Sequence, residues 1–295
     1  MATIVFFHAH PDDEAIATGG TMAELSDQGH RVVLVTATRG ELGEIPEGLL
    51  GPSQSLTERR TEELAEACRI LGVHRQVFLD YLDSGMAGEA SNDRPGSFAA
   101  ADIEEAAGAM AAILDAERAD VLVTYDEHGG YGHPDHVQVH RVGMRAAERA
   151  GTPVVYMATM NRDFVRTLRE QASGSGWAPP EGSMDGMDTM GEPASRLSTE
   201  VDVTRWIDQK RQAMRAHASQ IAETSFFLSM PDDVFSMVWG REWYIRVRPP
   251  WSAPADGARQ SALDLGGATG GDTGGATGGD TGGAVEAADT TAGRP

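Results

Sequence analysis

Five short apolar runs decide what this chain can fold into: Ile4-Val5-Phe6-Phe7, Val32-Val33-Leu34-Val35, Val77-Phe78-Leu79, Val121-Leu122-Val123-Thr124 and Val154-Val155-Tyr156-Met157. Each is short, apolar and rich in strand-forming residues, the pattern of a buried strand. The segments between them read as helices. Ile16, Met22 and Leu25 recur at helical spacing before Gly29. Ser55 to Leu71 is closed by Gly72, and Phe98 to Arg118 is Ala-rich. Pro134 to Ala150 opens on a proline, which a first turn tolerates. Strand, helix, strand with short joints is the signature of right-handed parallel βαβ units. The expectation is a single α/β domain, a Rossmann-like three-layer fold whose mainly parallel sheet carries helices on both faces. Later segments add helices over 162–170 and from Thr204 to about Ile221, with a last strand at Trp243-Tyr244-Ile245-Arg246-Val247. Residues 173–196 read as a surface excursion.

In a parallel sheet all carboxyl ends share one edge, and ligands bind at that edge. Two polar clusters arrive there. After the first run comes Ala9-His10-Pro11-Asp12-Asp13-Glu14, in which Pro11 bars strand pairing and forces a turn. After the fourth comes Tyr125-Asp126-Glu127-His128-Gly129-Gly130-Tyr131-Gly132-His133-Pro134-Asp135-His136. The competing reading of the first cluster is a helix start dressed with acidic caps. Three carboxylates at the end of a buried strand, however, are costly to desolvate without a cation or hydrogen bonds.

Composition narrows the function classes. Of 295 residues 40% are hydrophobic, enough for a packed core, and the formal net charge is −21. Nucleic acid and anionic membrane are poor partners for such a surface. No run approaches the ~20 apolar residues that span a bilayer, and residues 1–9 lack a secretory signal pattern. The single cysteine, Cys68, lies in a helical pattern and reads as packing. These features fit a cytoplasmic enzyme. After Pro250 the composition shifts: 12 of the 35 glycines lie in residues 252–295, and Gly266 to Ala284 repeats with a period of four. Such a tract cannot bury enough apolar surface to offset its ordering entropy. The expected division is a folded domain over 1–251 and a disordered tail over 252–295.

Two imidazoles and a carboxylate are a common zinc ligand set that leaves a position open, and His10, Asp13 and His136 supply one. The ion would lower the pKa of a bound water and polarise a carbonyl beside it. Iron(II) suits the same ligands. Asp12, pointing away from Asp13, could accept the water's proton. His133 could face a developing oxyanion as cation or acid, Asp135 could orient an imidazole, and Tyr131 could donate to a carbonyl oxygen. Bland readings stand beside these. His140 mimics a zincin pair with His136 but fits a packed or solvated histidine better, His128 fits a loop histidine, and Tyr131 could merely pack. No Gly-x-Ser-x-Gly elbow supports a serine hydrolase. Thr18-Gly19-Gly20-Thr21 is neither a Walker loop nor a dinucleotide fingerprint.

Ala9-His10-Pro11-Asp12-Asp13-Glu14 together with Gly132-His133-Pro134-Asp135-His136 resembles the PIG-L/LmbE family of zinc-dependent N-deacetylases, over roughly residues 3–248. Asp83-Ser84-Gly85-Met86 and the Tyr125–His136 stretch are similar to its mycothiol branch, which contains the deacetylase of N-acetylglucosaminyl-inositol and the mycothiol S-conjugate amidase. The resemblance implies His10, Asp13 and His136 as metal ligands, Asp12 as general base, His133 at the oxyanion and Tyr131 at the carbonyl. It further implies Arg60 and Asp83 as contacts to a polar substrate. The small-molecule partner would be an amidated sugar: an N-acetylglucosaminide, or alternatively a mycothiol conjugate or a natural-product sugar. Ala17 departs from the pattern, because serine is expected there in the deacetylase and lysine in the amidase. A metal-dependent sugar-binding or regulatory protein is the non-enzymatic alternative. The segment Lys210 to Gln220, with Ala216-His217-Ala218-Ser219-Gln220, also looks like part of this branch, without a role that the sequence supplies.

Overall fold

Side-chain alternation splits every apolar run between two cores. The structure, a computed structural model, describes residues 1–46, 48–172, 186, 189–252, 254 and 257–266. Strand β1 (Thr3–His8) turns Ile4 and Phe6 to one face and Val5 and Phe7 to the other. Strand β2 (Arg31–Thr36) divides Val32 and Leu34 from Val33 and Val35 in the same way. A sheet covered on both faces needs such continuous apolar strands, which is why the runs lack a polar alternation.

With β3 (Arg75–Phe78), β4 (Val121–Tyr125), β5 (Val154–Thr159), β6 (Thr199–Asp202) and β7 (Arg241–Arg248), the sheet has the order β3-β2-β1-β4-β5-β7-β6. The first five strands are parallel; β7 runs antiparallel to β5, and β6 antiparallel to β7. Strand order reverses between β1 and β4, so a crevice opens outside their carboxyl ends. Both polar clusters follow those two strands.

On one face lie α1 (Asp13–Ala17), α2 (Gly19–Asp27), α3 (Leu56–Leu71), α8 (Ile207–Ala216) and α9 (Asp232–Trp239). On the other, α4 (Ile103–Glu117) packs on α6 (Pro134–Ala150). The short α5 (Gly129–Gly132) precedes α6, and α7 (Arg162–Ala172) follows β5. Helix α3 starts on a full capping box of Ser55 and Glu58 and stops at left-handed Gly72, as its sequence predicts. The expected helix after Glu14 is instead two. Thr18 leaves helical geometry (φ −139°), and its hydroxyl lies 2.9 Å from His8 Nε2. The helix expected from Phe98 begins at Ile103, capped by Asp102, because Phe98 drops into the core against Phe7. The helix expected to reach Ile221 ends at Ala216. Cys68 is buried and unpaired. Among the described residues no helix is long and apolar enough to cross a membrane.

Most of the surface excursion expected at 173–196, and the repeat tract from residue 267 onward, lie outside the described residues. The boundary expected at 251 falls too early. Gln260 extends the β6 edge: its N–H donates to Ser198 O at 2.9 Å, and its carbonyl accepts from Glu200 N at 2.9 Å. Leu263 and Leu265 then enter the core, and Asp264 N donates to Tyr156 Oη at 2.8 Å. These two leucines escaped the compositional argument because Gly, Ala and Asp dilute them. Full burial of a leucine is worth about 1.5–3 kcal/mol as an upper estimate. Truncation after Trp251 is therefore expected to lower Tm by about 5–10 °C relative to truncation after Gly266. Equal melting temperatures in calorimetry would show that the segment contributes nothing.

Candidate active site

The turn after β1 sends three successive carboxylates in three directions. Asp12 sits at φ 105°, a strained conformation for a residue with a Cβ, and such strain persists only where the surroundings hold it. Its N–H donates to Glu14 Oε2 at 3.0 Å, and its carboxylate lies 3.3 Å from Arg60 Nη2. Asp13 opens α1 and faces inward, where its Oδ2 accepts the His10 amide at 2.8 Å. Glu14 points into the core. Burial, opposed by Arg60, raises the Asp12 carboxyl to about 6, near the range of a working base.

The second cluster closes on the first from β4. Gly129 (φ 62°) passes so close to α6 that a Cβ there would stand 2.5 Å from the His136 Cβ. Its carbonyl lies 3.2 Å from His136 Nδ1, which fixes that ring from behind; Tyr125 stacks on its face at 4.7 Å between centroids. His136 Nε2 is thereby left facing Asp13 Oδ2 at 3.3 Å. His10 presents Nδ1 to the same oxygen at 3.4 Å, while its Nε2 meets Asp135 Oδ2 at 3.1 Å. One carboxylate oxygen thus sits between two imidazole nitrogens whose outer nitrogens are held by a carbonyl and a carboxylate. Two ring lone pairs converging on an anionic oxygen repel unless a cation or protons intervene. The residues fit a metal ion: three donor atoms converge, and the outer ring nitrogens are anchored as metal-ligating histidines require. Two overlapping groups, His10-His133-His136 and His10-Asp83-His133-Asp135, also bring their donor atoms within 4.8 Å of one another. Burial would lower His10, but Asp13, Asp135 and Asp83 together drive it well above its ordinary value. Three carboxylates around one imidazole call for positive charge at this spot.

The other expected residues take their places around this group. His133 Nδ1 accepts the Asp135 N–H at 3.2 Å and so caps α6. That leaves the proton of a neutral ring on Nε2. Burial, helped by His10 and His136, lowers His133 to about 4. The imidazole that the Asp135 carboxylate orients is that of His10. Tyr131, half exposed, stands with its hydroxyl 3.5 Å from His136 Nε2. Asp83 Oδ1 lies 3.6 Å from His10 Nε2 and accepts Gly85 N at 2.9 Å; Oδ2 accepts Leu42 N at 3.2 Å. Burial would raise its carboxyl, yet His10 and these amides hold it well below the carboxylate range. Arg60 is enclosed. Nη1 donates to Gly40 O at 2.7 Å, and Nη2 reaches Pro11 O and Asp12. Gly40 (φ 65°) is necessary here, since a Cβ would stand 2.1 Å from Nη1. The Arg60 guanidinium therefore grips the acidic turn and the Asp12 carboxylate. Arg60 and Asp83 are not partners of each other.

His140 lies outside the donor set, with Nδ1 2.9 Å from Tyr125 O. His128 is exposed and 3.8 Å from Glu192. Several contributors lie in or beside the quoted motifs but are given no role by the sequence. Ser84 holds Asp135 through its N–H at 3.0 Å and through a short contact from its hydroxyl. Asp126 Oδ1 accepts from His128 N and Gly130 N, both at 2.9 Å, and pins the glycine loop. His8 Nδ1 lies 2.6 Å from Tyr125 Oη. A serine or an aspartate among many is silent until the fold brings it to the site. Loss of a partner that orients a metal ligand typically costs about 10–100-fold in metal affinity or activity. Ser84→Ala is expected to weaken metal binding by about tenfold, read by competitive chelator titration; unchanged affinity would remove Ser84 from the site.

Comparison with known proteins gives this geometry a family. Residues 5–147 match the family model described as PIG-L: GlcNAc-PI de-N-acetylase. The chain is 39% identical over 281 residues to a 1D-myo-inositol 2-acetamido-2-deoxy-alpha-D-glucopyranoside deacetylase of Acidothermus cellulolyticus, covering 90% of this chain and 95% of that protein. Among solved structures it is similar in fold to an N,N'-diacetylchitobiose deacetylase from Pyrococcus horikoshii. There the TM-score is 0.53 at 20% identity, covering 83% of each chain. It is also similar to a 4-carboxy-2-hydroxymuconate hydratase from Pseudomonas putida. That match has a TM-score of 0.55 at 19% identity and covers 86% of this chain and 99% of that one. At such identities the likeness concerns the fold alone, and a hydratase beside a deacetylase shows why function must be argued from the site. The match across nearly the whole chain, with both motifs meeting at one sheet edge, places this chain in the PIG-L family.

Proposed function

We propose that this protein is a zinc-dependent N-deacetylase acting on an N-acetylglucosaminide, with acetate and a free amine as products. The observation that carries the reading is the juxtaposition at the Asp13 oxygen. Two imidazole nitrogens converge there within 3.4 Å, and the preceding residue's carboxylate, Asp12, is held by Arg60. His10, Asp13 and His136 would hold the ion, which when bound polarises the amide carbonyl and acidifies water. Asp12 takes a proton from the water that attacks the carbonyl carbon and passes it to the departing nitrogen. As the carbon–nitrogen bond breaks, the oxygen of that water stays with the acyl group. His133 Nε2–H and the Tyr131 hydroxyl donate to the carbonyl oxygen as it gains charge. Ser84 and Asp135 keep the His10 ring in register. Asp83, buried beside His10, offers a carboxylate to a sugar hydroxyl.

The 39% identical relative named for an inositol glycoside of acetylated glucosamine supports this substrate class. The test is a panel of N-acetylglucosaminyl-inositol, N-acetylglucosamine, an N-acetylated aminoglycoside precursor and a mycothiol S-conjugate, followed by amine release. The inositol glycoside is expected to give the highest kcat/KM. Cleavage of the conjugate alone would replace the assignment with an amidase, and binding without cleavage of any member would leave a sugar-binding protein.

A further inference from the structure

Leaving α8 at Ala216, the chain threads behind the acidic turn. His217 and Glu14 meet there with both side chains fully buried, His217 Nε2 2.6 Å from Glu14 Oε1. The other Glu14 oxygen accepts the Asp12 N–H at 3.0 Å. Two residues on, Ser219 donates to Glu63 through its N–H at 2.9 Å and its hydroxyl at 2.6 Å. Glu63 lies on α3 one turn beyond Arg60, which grips Pro11 and Asp12. One support of the strained Asp12 backbone thus ends on His217, and the helix that carries the other, Arg60, is tied by Glu63 to Ser219 of the same segment, some two hundred residues away in sequence from the acidic turn. The charged groups facing His217 are Glu14, Asp12 and Arg60.

Stability alone does not account for this arrangement. A buried ion pair is often no better for folding than apolar residues of the same size, and its attested use is to fix one geometry. His217 Nδ1 is itself buried without a hydrogen-bond partner among the described residues, an imperfection for a purely structural site. What the pair does fix is the Glu14 carboxylate, and through it the amide of Asp12 at φ 105°.

We propose that His217 is a positioning residue for the Asp12 base, acting through Glu14. The inference rests on the reading of Asp12 as that base. Without the imidazole, Glu14 turns toward water or toward Arg60, the Asp12 amide loses its acceptor, and the carboxylate moves off the line of proton transfer.

The experiment uses the full-length, zinc-loaded protein and the best substrate of the panel above. His217→Ala is expected to lower kcat by about 10–100-fold, the range for a displaced catalytic group, with KM and zinc stoichiometry held. In the Asp12→Asn background the same substitution is expected to lower the residual rate by less than about threefold, because the group it positions is already gone. An equal factor in both backgrounds, an unchanged kcat or a loss of zinc would overturn the proposal. Where His217→Ala does not fold, Glu14→Gln and Glu14→Ala carry the test. Glutamine keeps an acceptor for the Asp12 amide and is expected to restore most of the kcat that alanine loses; equal rates would overturn the proposal. If the wild type cleaves no member of the panel, the functional reading fails, and the positioning claim is decided by crystal structures instead. Asp12 is expected to leave positive φ in His217→Ala or Glu14→Ala; an unchanged Asp12 backbone would overturn it.

Discussion

Asp12→Asn is expected to lower turnover by about 10²–10⁴-fold, the usual worth of general acid–base catalysis, while leaving zinc stoichiometry and substrate affinity close to wild type. Asparagine preserves the shape of the side chain and its acceptor toward Arg60, which stands 3.3 Å away. It leaves the backbone N–H that Glu14 accepts untouched. What it removes is a group able to take a proton and give it back. Asp13, one residue on, is committed to His10 and His136 at 3.4 and 3.3 Å and cannot substitute. Steady-state kinetics with metal analysis on the same preparation checks the result. A kcat within about fivefold of wild type would mean that proton transfer runs through another group, and His133 would be next in line.

The parallel sheet was legible because buried strands leave an unmistakable run of apolar residues, and the sites at its edge because His10-Pro11-Asp12-Asp13 makes no sense as core. Less visible were features whose cause lies across the fold. The break at Thr18 depends on His8, the late start of α4 on Phe98 reaching Phe7, and the burial of Leu263 and Leu265 on an edge left open by β6. A short edge strand such as Thr199–Asp202, with mixed burial, carries too weak a period to stand out. Arg60 was recognisable only by resemblance; the fold sets its guanidinium against Pro11 O and the Asp12 carboxylate. Tyr131, His133 and His136 gave their positions away by neighbouring glycines and Pro134. Ser84 and Glu14 stood inside quoted motifs, but their roles needed the folded chain, since an orienting side chain is chosen by where it lands.

Removal of the metal is the second large expected effect. Dialysis against a chelator is expected to abolish activity, and added Zn²⁺ to restore it. Binding of an ion at about 1,000 times its Kd stabilises the folded chain by about 4 kcal/mol. The metal-free protein is therefore expected to melt roughly 10 °C lower. His136→Ala tests the ligand set itself. It removes the nitrogen 3.3 Å from Asp13 Oδ2 but leaves His10, Asp83, His133 and Asp135 in place, a group whose atoms also converge. If that second group were the metal site, His136→Ala would keep full metal stoichiometry, and the assignment of His10, Asp13 and His136 would fall. If the ligands are as proposed, the variant loses the ion, and Asp83→Asn, which touches only the second group, retains it. Metal analysis of protein purified with and without oxygen separates zinc from iron(II), since the ligands suit both and only iron is lost to oxidation. Because His10, His133 and His136 also converge, His133→Ala completes the test: it is expected to keep the ion if His10, Asp13 and His136 hold it and to lose it if either group containing His133 does.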